Sequence, residues 1–441
     1  MKEAADLLLL PRWVITVEPD CRPLSRHAVA IRDGRIAAVL PVDQAQARFD
    51  AGEILDLPGQ ALIPGLVNAH THAAMSLLRG IGDDLPLMEW LNTAIWPVEG
   101  KHVSAEFVRD GTLLAAAEML QGGITTFNDM YFFPEAAAEA VDRSGIRAVL
   151  GIVVIEFPSA YANAPDGYLA RGLAARDALK GHDRIRFALA PHAPYTVSDA
   201  TFQRVQHLAD ELDLTIHVHL HETAHEIEGS IADHGVRPVA RLARLGLLSP
   251  NLLAVHSVHM DASEIAELSR HGARVAHCPS SNMKLASGIA PVPAMLAAGI
   301  PVGLGTDGAA SNNRLDLFEE MRQAALLAKV GAMDATAVSA AEALTMATLG
   351  GARALGLDNE IGSIVPGKWA DLCAVALDTL DLSPCFDPLS HLVYVAGREN
   401  VRHVWVGGQL VARDRHLTRV ASRELLAISA LWQNRIAQDG A

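Results

Sequence analysis

Several of the nineteen histidines in this chain stand where an apolar segment ends. His70 and His72 are two residues apart and follow the stretch Leu66–Ala69. In an extended segment, residues i and i+2 point to the same face, so both imidazoles can bind one ion. Imidazole nitrogen is a favoured zinc ligand, and the pair therefore predicts a metal site.

A second group of histidines alternates along another apolar segment. His217, His219 and His221 share one face if the segment is extended, and Glu222 follows them directly. Only the histidine nearest the open end of the strand should meet a metal held by the first pair, and we expect this to be His219. We expect His217 to lie one layer deeper and His221 to point elsewhere once the strand turns.

Two further segments end in side chains that suit a metal site. One ends in Val255-His256-Ser257, and the other in Gly305-Thr306-Asp307-Gly308. A lone Asp-Gly pair usually marks a turn. At the end of a strand, however, the aspartate can bind a metal ion and accept a proton from water.

The strands and helices predicted around these side chains indicate how they are positioned. Strands alternate with helical stretches such as Phe107–Leu120, Ala200–Glu211 and Asp261–His271, which favours parallel β structure in the α/β class. The eight predicted strands are Ala61–Ala69, Ile124–Phe127, Arg147–Val153, Arg184–Ala190, Thr215–Leu220, Leu252–His256, Arg274–Cys278 and Pro301–Gly305. Eight such units predict a (β/α)8 TIM-type barrel, in which chemistry sits at the carboxyl ends of the strands.

Both ends of the chain indicate a different kind of structure. Short strands flank the Asp33-Gly34 turn signal near the start, and strands are predicted again at Ala370–Val375 and Val401–Val406. We expect residues 1–61 and 362–441 to form one small composite β-sandwich domain, which ends in a helix near 423–437. Residues 62–361 would then form the metal-dependent catalytic barrel.

Composition excludes several classes of protein. Half of the residues are apolar and 20% are charged, which is typical of a globular protein and excludes a disordered one. No apolar run approaches the roughly 18 residues of a membrane span. The formal charge of −15 disfavours nucleic acid as a partner. The four cysteines form no C-x-x-C pair, and the acidic N-terminus does not resemble a signal peptide, so we expect a cytoplasmic protein.

Taken together, these motifs resemble the amidohydrolase superfamily. Further segments resemble its branch of 5'-methylthioadenosine/S-adenosylhomocysteine deaminases, which is related to triazine chlorohydrolases. These segments are Trp96–Glu99, Ala190–Tyr195, Cys278–Leu285 and Ala309–Asn313. The resemblance covers nearly the whole chain, including the composite β domain.

The resemblance implies one divalent metal ion, with zinc as the default. Binuclear members of the superfamily use a modified lysine at the end of strand four, where this chain has Ala190-Pro191-His192. The ligands implied are His70, His72, His219 and Asp307. The catalytic groups implied are Glu222 as proton shuttle, with His256 and Asp307 orienting water and accepting its proton.

The resemblance also implies a set of substrate contacts. Glu99 would bind ribose hydroxyls, His192 would contact the purine or the ribose, and Glu222 and Asp307 would meet the reacting ring. Trp96 would form a wall of the pocket. Ser281, Asn282 and the loop Ala309–Asn313 are expected at its rim.

The expected reaction is hydrolytic deamination of a 6-aminopurine nucleoside. We expect 5'-methylthioadenosine to be the preferred substrate and adenosine to follow closely. S-Adenosylhomocysteine should be used more weakly, because Gly151 stands where an arginine is expected for its carboxylate, although Arg171 or Arg176 could reach over. A hydrolase of a guanine-like base or a triazine is the alternative, followed by a non-enzymatic metal-binding scaffold. Whether the chain forms a homo-oligomer is left open.

Overall fold

Two β-sheets organise the chain, which we describe from a computed structural model that covers residues 2–438. Eight strands form a parallel barrel, and nine strands from both ends of the chain form a second sheet. Within residues 2–438, no helix is long and apolar enough to cross a membrane.

The strands are numbered in chain order. They are β1 Glu3–Ile15, β2 Pro23–Ser25, β3 His27–Arg32, β4 Arg35–Pro41, β5 Phe49–Pro64, β6 Leu66–Thr71, β7 Ile124–Asp129, β8 Arg147–Val154, β9 Ile185–Pro191, β10 Ile216–Leu220, β11 Leu252–His256, β12 Arg274–His277, β13 Val302–Leu304, β14 Leu372–Ala376, β15 Val401–Val406, β16 Gln409–Arg413 and β17 His416–Leu417.

The α-helices are numbered in the same way. They are α1 Val42–Arg48, α2 Leu87–Trp90, α3 Trp96–His102, α4 Ala105–Gln121, α5 Pro134–Ser144, α6 Pro165–Ala178, α7 Asp199–Leu212, α8 Ala224–His234, α9 Pro238–Arg244, α10 Ala262–Arg270, α11 Pro279–Lys284, α12 Val292–Ala297, α13 Leu317–Ala332, α14 Ala340–Thr345, α15 Gly351–Leu355, α16 Pro388–Tyr394 and α17 Ser422–Gln438. Short 3-10 or π segments span Ala73–Leu78, Leu91–Ile95, Met346–Gly350, Leu380–Leu382 and Arg398–Asn400.

The barrel consists of β6 to β13 in sequence order, and all neighbouring pairs are parallel. Every residue of β6, β7 and β8 is buried, as expected for parallel strands that are covered on both faces. At the carboxyl ends, the N–H of Asp307 donates to the carbonyl oxygen of His70 at 3.0 Å, which joins the last strand to the first. The predicted α/β barrel is therefore confirmed.

The second sheet confirms that both chain ends build one β unit. Its order is β17-β16-β15-β14-β5-β1-β3-β4, and β2 pairs with β1. Strand β5 runs parallel to β1 and antiparallel to β14, so it links the N-terminal and C-terminal contributions. The nine strands belong to a single hydrogen-bonded sheet.

One strand prediction was wrong in its extent. The segment Ala61–Ala69 was expected to be a single barrel strand, but β5 ends at Pro64 and β6 begins at Leu66, in a different sheet. The break falls at Gly65, where a Cβ atom would lie 2.2 Å from the side-chain oxygen of Thr125. Only glycine fits this close approach, which the apolar pattern of the sequence does not reveal.

Candidate active site

Four imidazoles and one carboxylate meet at the carboxyl ends of β6, β10, β11 and β13. The Nε2 atom of His70 lies 3.3 Å from Nε2 of His219 and 3.3 Å from Oδ1 of Asp307. The Nε2 atom of His72 lies 3.3 Å from the same carboxylate oxygen. The ligand-type atoms of His70, His256 and Asp307 also lie within 4.8 Å of one another. The structure thus brings the predicted ligand residues together.

Each of the four imidazoles is held through its Nδ1 atom. Nδ1 of His72 pairs with the carbonyl oxygen of Met130 at 2.6 Å, and Nδ1 of His219 pairs with that of His192 at 2.9 Å. Nδ1 of His70 pairs with Nε2 of His217 at 2.9 Å, and Nδ1 of His256 pairs with Oδ1 of Asn282 at 2.9 Å. A carbonyl oxygen only accepts, so Nδ1 of His72 and of His219 carries the proton. Their Nε2 atoms then present bare lone pairs to the centre of the cluster.

This donor set fits a zinc ion. Neighbouring nitrogen and oxygen ligands about 2.0–2.1 Å from one ion lie about 3.3 Å apart. The three separations of 3.3 Å between these side chains agree with that value. Bare imidazole lone pairs and an ionised carboxylate at such distances repel one another unless a cation lies between them. The residues present therefore suit a divalent ion with nitrogen and oxygen ligands.

Asp307 is surrounded by hydrogen-bond donors. Its Oδ2 accepts from the hydroxyls of Ser281 and Ser311 at 2.6 and 2.8 Å, and its Oδ1 accepts from the N–H of Gly308 at 2.8 Å. Burial by itself raises the pKa of this carboxyl. The nearby imidazoles of His70, His72 and His256 outweigh burial and hold the Asp307 pKa well below its usual value. Asp307 is therefore ionised.

Glu222 lies beside this cluster and differs from Asp307 in its electrostatics. One of its carboxylate oxygens is 3.7 Å from Nε2 of His256. Burial is the main cause that raises the pKa of Glu222; the charge of Asp307 adds to the rise, and His256 partly offsets it. Two neighbouring carboxyls with opposite pKa shifts are suited to different tasks in proton transfer.

The backbone at this end of the barrel is locally strained. His221, His256, Ser257 and Asp307 all have φ between 51° and 67°, a region that residues other than glycine seldom adopt. His256 is the last residue of β11, and the other three residues follow directly or closely after the end of a barrel strand. Strained backbone that is held by its surroundings is common where side chains are aimed at a ligand.

Glu99 and His192 line the same cavity. The hydroxyl of Tyr131 donates to Oε1 of Glu99 at 2.5 Å, and burial raises the pKa of Glu99 while this hydrogen bond partly lowers it. Nδ1 of His192 pairs with the hydroxyl of Thr196 at 3.0 Å, and burial lowers the pKa of His192 to about 3. His192 is therefore neutral at physiological pH.

The additional histidines are placed as the sequence predicted. His217 is fully buried behind His70, where the side-chain amide of Asn128 lies 3.2 Å from its Nδ1 atom. His221 turns away from the cluster, and its Nε2 atom accepts the N–H of Val239 at 3.2 Å.

The cavity that opens from the cluster has a volume of about 380 Å³. Many of the side chains that line it are apolar, among them Trp90, Leu91, Trp96 and Phe157, so Trp96 forms part of the wall as expected. Among the described residues that line the cavity there is no lysine and no arginine. The cavity thus joins the polar cluster to a largely apolar wall.

Two predictions about the rim were wrong. Ser281 is buried behind Asp307, to which it donates a hydrogen bond, and Asn282 is buried behind His256, from which it accepts one. Of the loop 309–313, only Ser311 lines the cavity. The sequence around Ser281 and Asn282, in α11, does not indicate these contacts, because their partners lie at the ends of other strands.

No arginine takes the place expected for a carboxylate anchor. A Cβ atom at Gly151 would lie 2.6 Å from the carbonyl oxygen of Asp129, so a side chain does not fit there. Arg171 donates to the carbonyl oxygen of Tyr161 and packs over its ring, and Arg176 pairs with Asp177. Neither of these arginines lines the cavity.

The sequence analysis did not predict that Tyr131 and Asp129 belong to the site. Asp129 is the last residue of β7, its Oδ1 accepts the N–H of Ala73 at 2.7 Å, and burial raises its pKa to about 6. Tyr131 follows two residues later and holds Glu99. Their position at the end of a barrel strand was the available signal.

The comparisons with known proteins agree with this fold and site. Residues 61–411 match the amidohydrolase family. A protein of Teredinibacter turnerae named 5-methylthioadenosine/S-adenosylhomocysteine deaminase is 47% identical over 98% of each chain. The chain belongs to the amidohydrolase family.

Solved structures give the same result. The crystal structure of an adenosine deaminase from Xanthomonas campestris with bound zinc is 49% identical, with a TM-score of 0.98 over 99% of this chain and 100% of that one. Atrazine chlorohydrolase from Arthrobacter aurescens, complexed with zinc, is 26% identical, with a TM-score of 0.89 over 97% of this chain and 99% of that one.

Proposed function

We propose that this protein is a zinc-dependent hydrolase that removes the 6-amino group of purine nucleosides. Its preferred substrate is 5'-methylthioadenosine, which it converts to 5'-methylthioinosine and ammonia; adenosine follows, and S-adenosylhomocysteine is used more weakly. The observation that carries the proposal is the placement of Glu222 beside the imidazole–Asp307 cluster, in a cavity whose wall is otherwise largely apolar. The 47% identity to a deaminase over nearly the whole chain supports the same reaction.

His70, His72, His219 and Asp307 are the proposed ligands of one divalent ion. The separations of 3.3 Å and the bare Nε2 atoms support this set, as does the zinc in the adenosine deaminase of Xanthomonas campestris. A zinc ion held by these four side chains would lower the pKa of water towards neutrality and so would supply the nucleophile for hydrolysis.

His256 and Asp307 orient the attacking water and accept its proton. Nδ1 of His256 is paired with the side-chain oxygen of Asn282, so its Nε2 atom is free to accept. Glu222, whose pKa is raised by burial, delivers a proton to the ring nitrogen next to the attacked carbon. The same carboxyl then helps ammonia to leave.

Glu99 and His192 position the nucleoside. Because Tyr131 occupies one oxygen of Glu99, the other oxygen remains for the ribose hydroxyls. Nε2 of His192 is available for the purine or the ribose, since its Nδ1 is held by Thr196. A free base has no ribose, so these contacts favour nucleosides over the guanine-like or triazine alternative.

The apolar wall of the cavity supports the proposed order of substrates. A methylthio group is apolar and suits a wall that includes Trp96 and Phe157. The amino-acid carboxylate of S-adenosylhomocysteine would meet no lysine or arginine among the described lining residues. A carboxylate that enters an apolar region without a partner loses hydration, so this substrate binds less well.

The proposal is tested by incubating the zinc-loaded protein with five compounds. They are 5'-methylthioadenosine, adenosine, S-adenosylhomocysteine, guanine and a chlorotriazine. Ammonia or chloride release and the loss of adenine absorbance are followed, before and after removal of the metal with a chelator. We expect the highest kcat/KM for 5'-methylthioadenosine and loss of turnover on chelation. No turnover of any of the three nucleosides would refute the proposal.

A further inference from the structure

We propose that Glu226 is a positioning residue for Glu222, which it acts on through the backbone. This inference rests on the proposed role of Glu222 as the proton shuttle. Glu226 lies in the first turn of α8, is buried, and is absent from the cavity that we assign to the substrate. It therefore does not touch the reacting groups itself.

The carboxylate of Glu226 accepts two backbone hydrogen bonds, one with each oxygen. Its Oε1 accepts the N–H of His221 at 2.9 Å, and its Oε2 accepts the N–H of Glu222 at 2.8 Å. The N–H of Glu226 in turn donates to the hydroxyl of Thr223, the residue that caps α8, at 3.3 Å. The short turn from strand β10 to helix α8 is thus fixed on both sides.

This arrangement differs from an ordinary capping box. There, the carboxylate at the third helical position binds the amide of the capping residue itself, as Glu342 binds the N–H of Ser339 at 2.8 Å before α14. Glu226 instead reaches past its capping residue to the two preceding amides. Those amides belong to the turn that carries Glu222.

The Glu222 side chain has little else to fix it. Within residues 2–438, no described hydrogen bond is made by its carboxylate, and one of its oxygens lies 3.7 Å from Nε2 of His256. Its orientation therefore depends on the backbone of residues 221 and 222, where His221 has φ 57°. Loss of the two bonds would free this turn and leave two buried N–H groups without acceptors.

Burial raises the pKa of the Glu226 carboxyl to about 7, and its carboxylate form is the one that suits both partners. It has only acceptor oxygens, and both of its partners are donors. Glutamine has nearly the same shape, but its NH2 group would face one of the two N–H groups. Glu226→Gln therefore breaks half of the pair while it preserves volume.

The test compares Glu226→Gln and Glu226→Asp with the unaltered protein, and uses Glu342→Gln in the ordinary capping box as the matched control. For each protein, kcat and KM for 5'-methylthioadenosine, zinc content and melting temperature are measured. We expect Glu226→Gln to lower kcat about 100-fold, the loss typical of a displaced catalytic group, with KM and zinc content unchanged. Glu226→Asp keeps the acceptor chemistry and should recover part of kcat, whereas Glu342→Gln should leave kcat unchanged.

Two results would overturn the inference: an unchanged kcat in the folded Glu226 variants, or a parallel loss of kcat, zinc and melting temperature. If Glu226→Gln does not fold, a lower kcat with an unchanged KM in Glu226→Asp supports the inference, and an unchanged kcat overturns it. Hydrogen exchange at the amides of 221 and 222 gives a readout that does not need turnover. If the unaltered protein deaminates no nucleoside, the proposed function fails and the positioning role fails with it, although faster exchange in Glu226→Gln would still show that the bonds exist.

Discussion

The two ends of the barrel bury charged groups in opposite ways. At the amino ends of the strands, Arg147 at the start of β8 forms two hydrogen bonds to Asp371, at 2.9 and 3.2 Å, and donates to the carbonyl oxygen of Asp183 at 2.8 Å. Asp371 also accepts the N–H of Gly407 at 2.7 Å. At the carboxyl ends, the bare Nε2 atom of His72 lies 3.3 Å from Asp307, and that of His219 lies 3.3 Å from Nε2 of His70.

This difference separates a structural cluster from a functional one. The Arg147–Asp371 pair satisfies its charges within the chain and joins the barrel to the second sheet. The carboxyl-end cluster is satisfied only when a cation and a substrate enter, and its backbone is strained at three strand ends. Buried groups left unpaired by the fold are therefore the ones to which we assign chemistry.

The contrast between the two ends of the barrel is tested first by replacing Glu222, the proposed acid at the carboxyl end. Glu222→Gln keeps the shape of the side chain but cannot transfer a proton, so we expect kcat to fall about 1000-fold. The melting temperature should change little, because the Glu222 carboxylate makes no described hydrogen bond. Steady-state kinetics and thermal unfolding check both statements, and a kcat close to that of the unaltered protein would remove Glu222 from the mechanism.

The opposite result is expected at the amino end. Arg147→Met leaves Asp371 buried without its partner, which should lower the free energy of unfolding by about 3–5 kcal/mol. The double variant Arg147→Met with Asp371→Leu should recover part of this loss. Denaturant unfolding measures the change, and kcat per folded molecule should remain that of the unaltered protein. A specific loss of kcat would contradict a purely structural role.

A smaller effect is expected at the ribose contact. Glu99→Gln replaces one acceptor oxygen by an NH2 group, and we expect the KM for nucleosides to rise about 10- to 100-fold, as for a buried polar group left without its partner. Any activity on a free base should be unaffected, since a base has no ribose. An equal loss on nucleosides and bases would show that Glu99 acts on the cluster instead.

The smallest effect concerns the pH dependence of stability. Glu320 is buried and accepts hydrogen bonds from the N–H of Ser280 and the side chain of Asn312, and burial raises its pKa to about 8. Between the ordinary pKa of a glutamate and about 8, the folded chain holds a proton that the unfolded chain has lost. Stability should therefore decline as the pH rises through this window.

Glu320→Gln should remove this contribution. Unfolding by denaturant at several pH values between 5 and 9 would then show a flatter profile for the variant than for the unaltered protein. Glu342→Gln, at an exposed capping box, serves as the control and should leave the profile unchanged. An identical slope in the Glu320 variant would assign the pH dependence to other groups.

Much of the site could be predicted from the sequence because its residues stand at strand ends. The alternation of His70 with His72 and the end of β10 at His219 follow from the two-residue period of a strand. Asp307 was recognised because it closes the eighth strand of a predicted barrel. These inferences need only local periodicity and the rule that parallel strands present their carboxyl ends at one face.

Contacts between one strand end and the next could not be predicted from local patterns in the sequence. Ser281 and Asn282 were expected at the rim, yet they support Asp307 and His256 from behind. The hydrogen bond from Tyr131 to Glu99 and that from the amide of Glu222 to Glu226 were not anticipated either. Each depends on how one loop packs on another.

The sequence by itself therefore determined the elements, their order and the chemistry available at each strand end, since these depend on residue type and local spacing. The tertiary structure alone decided which nitrogen of each imidazole faces the centre, where the strand after Gly65 changes sheet, and which buried carboxyls have partners. These features arise from distances between segments far apart in the chain. Such distances become definite only when the barrel closes and its loops are packed together.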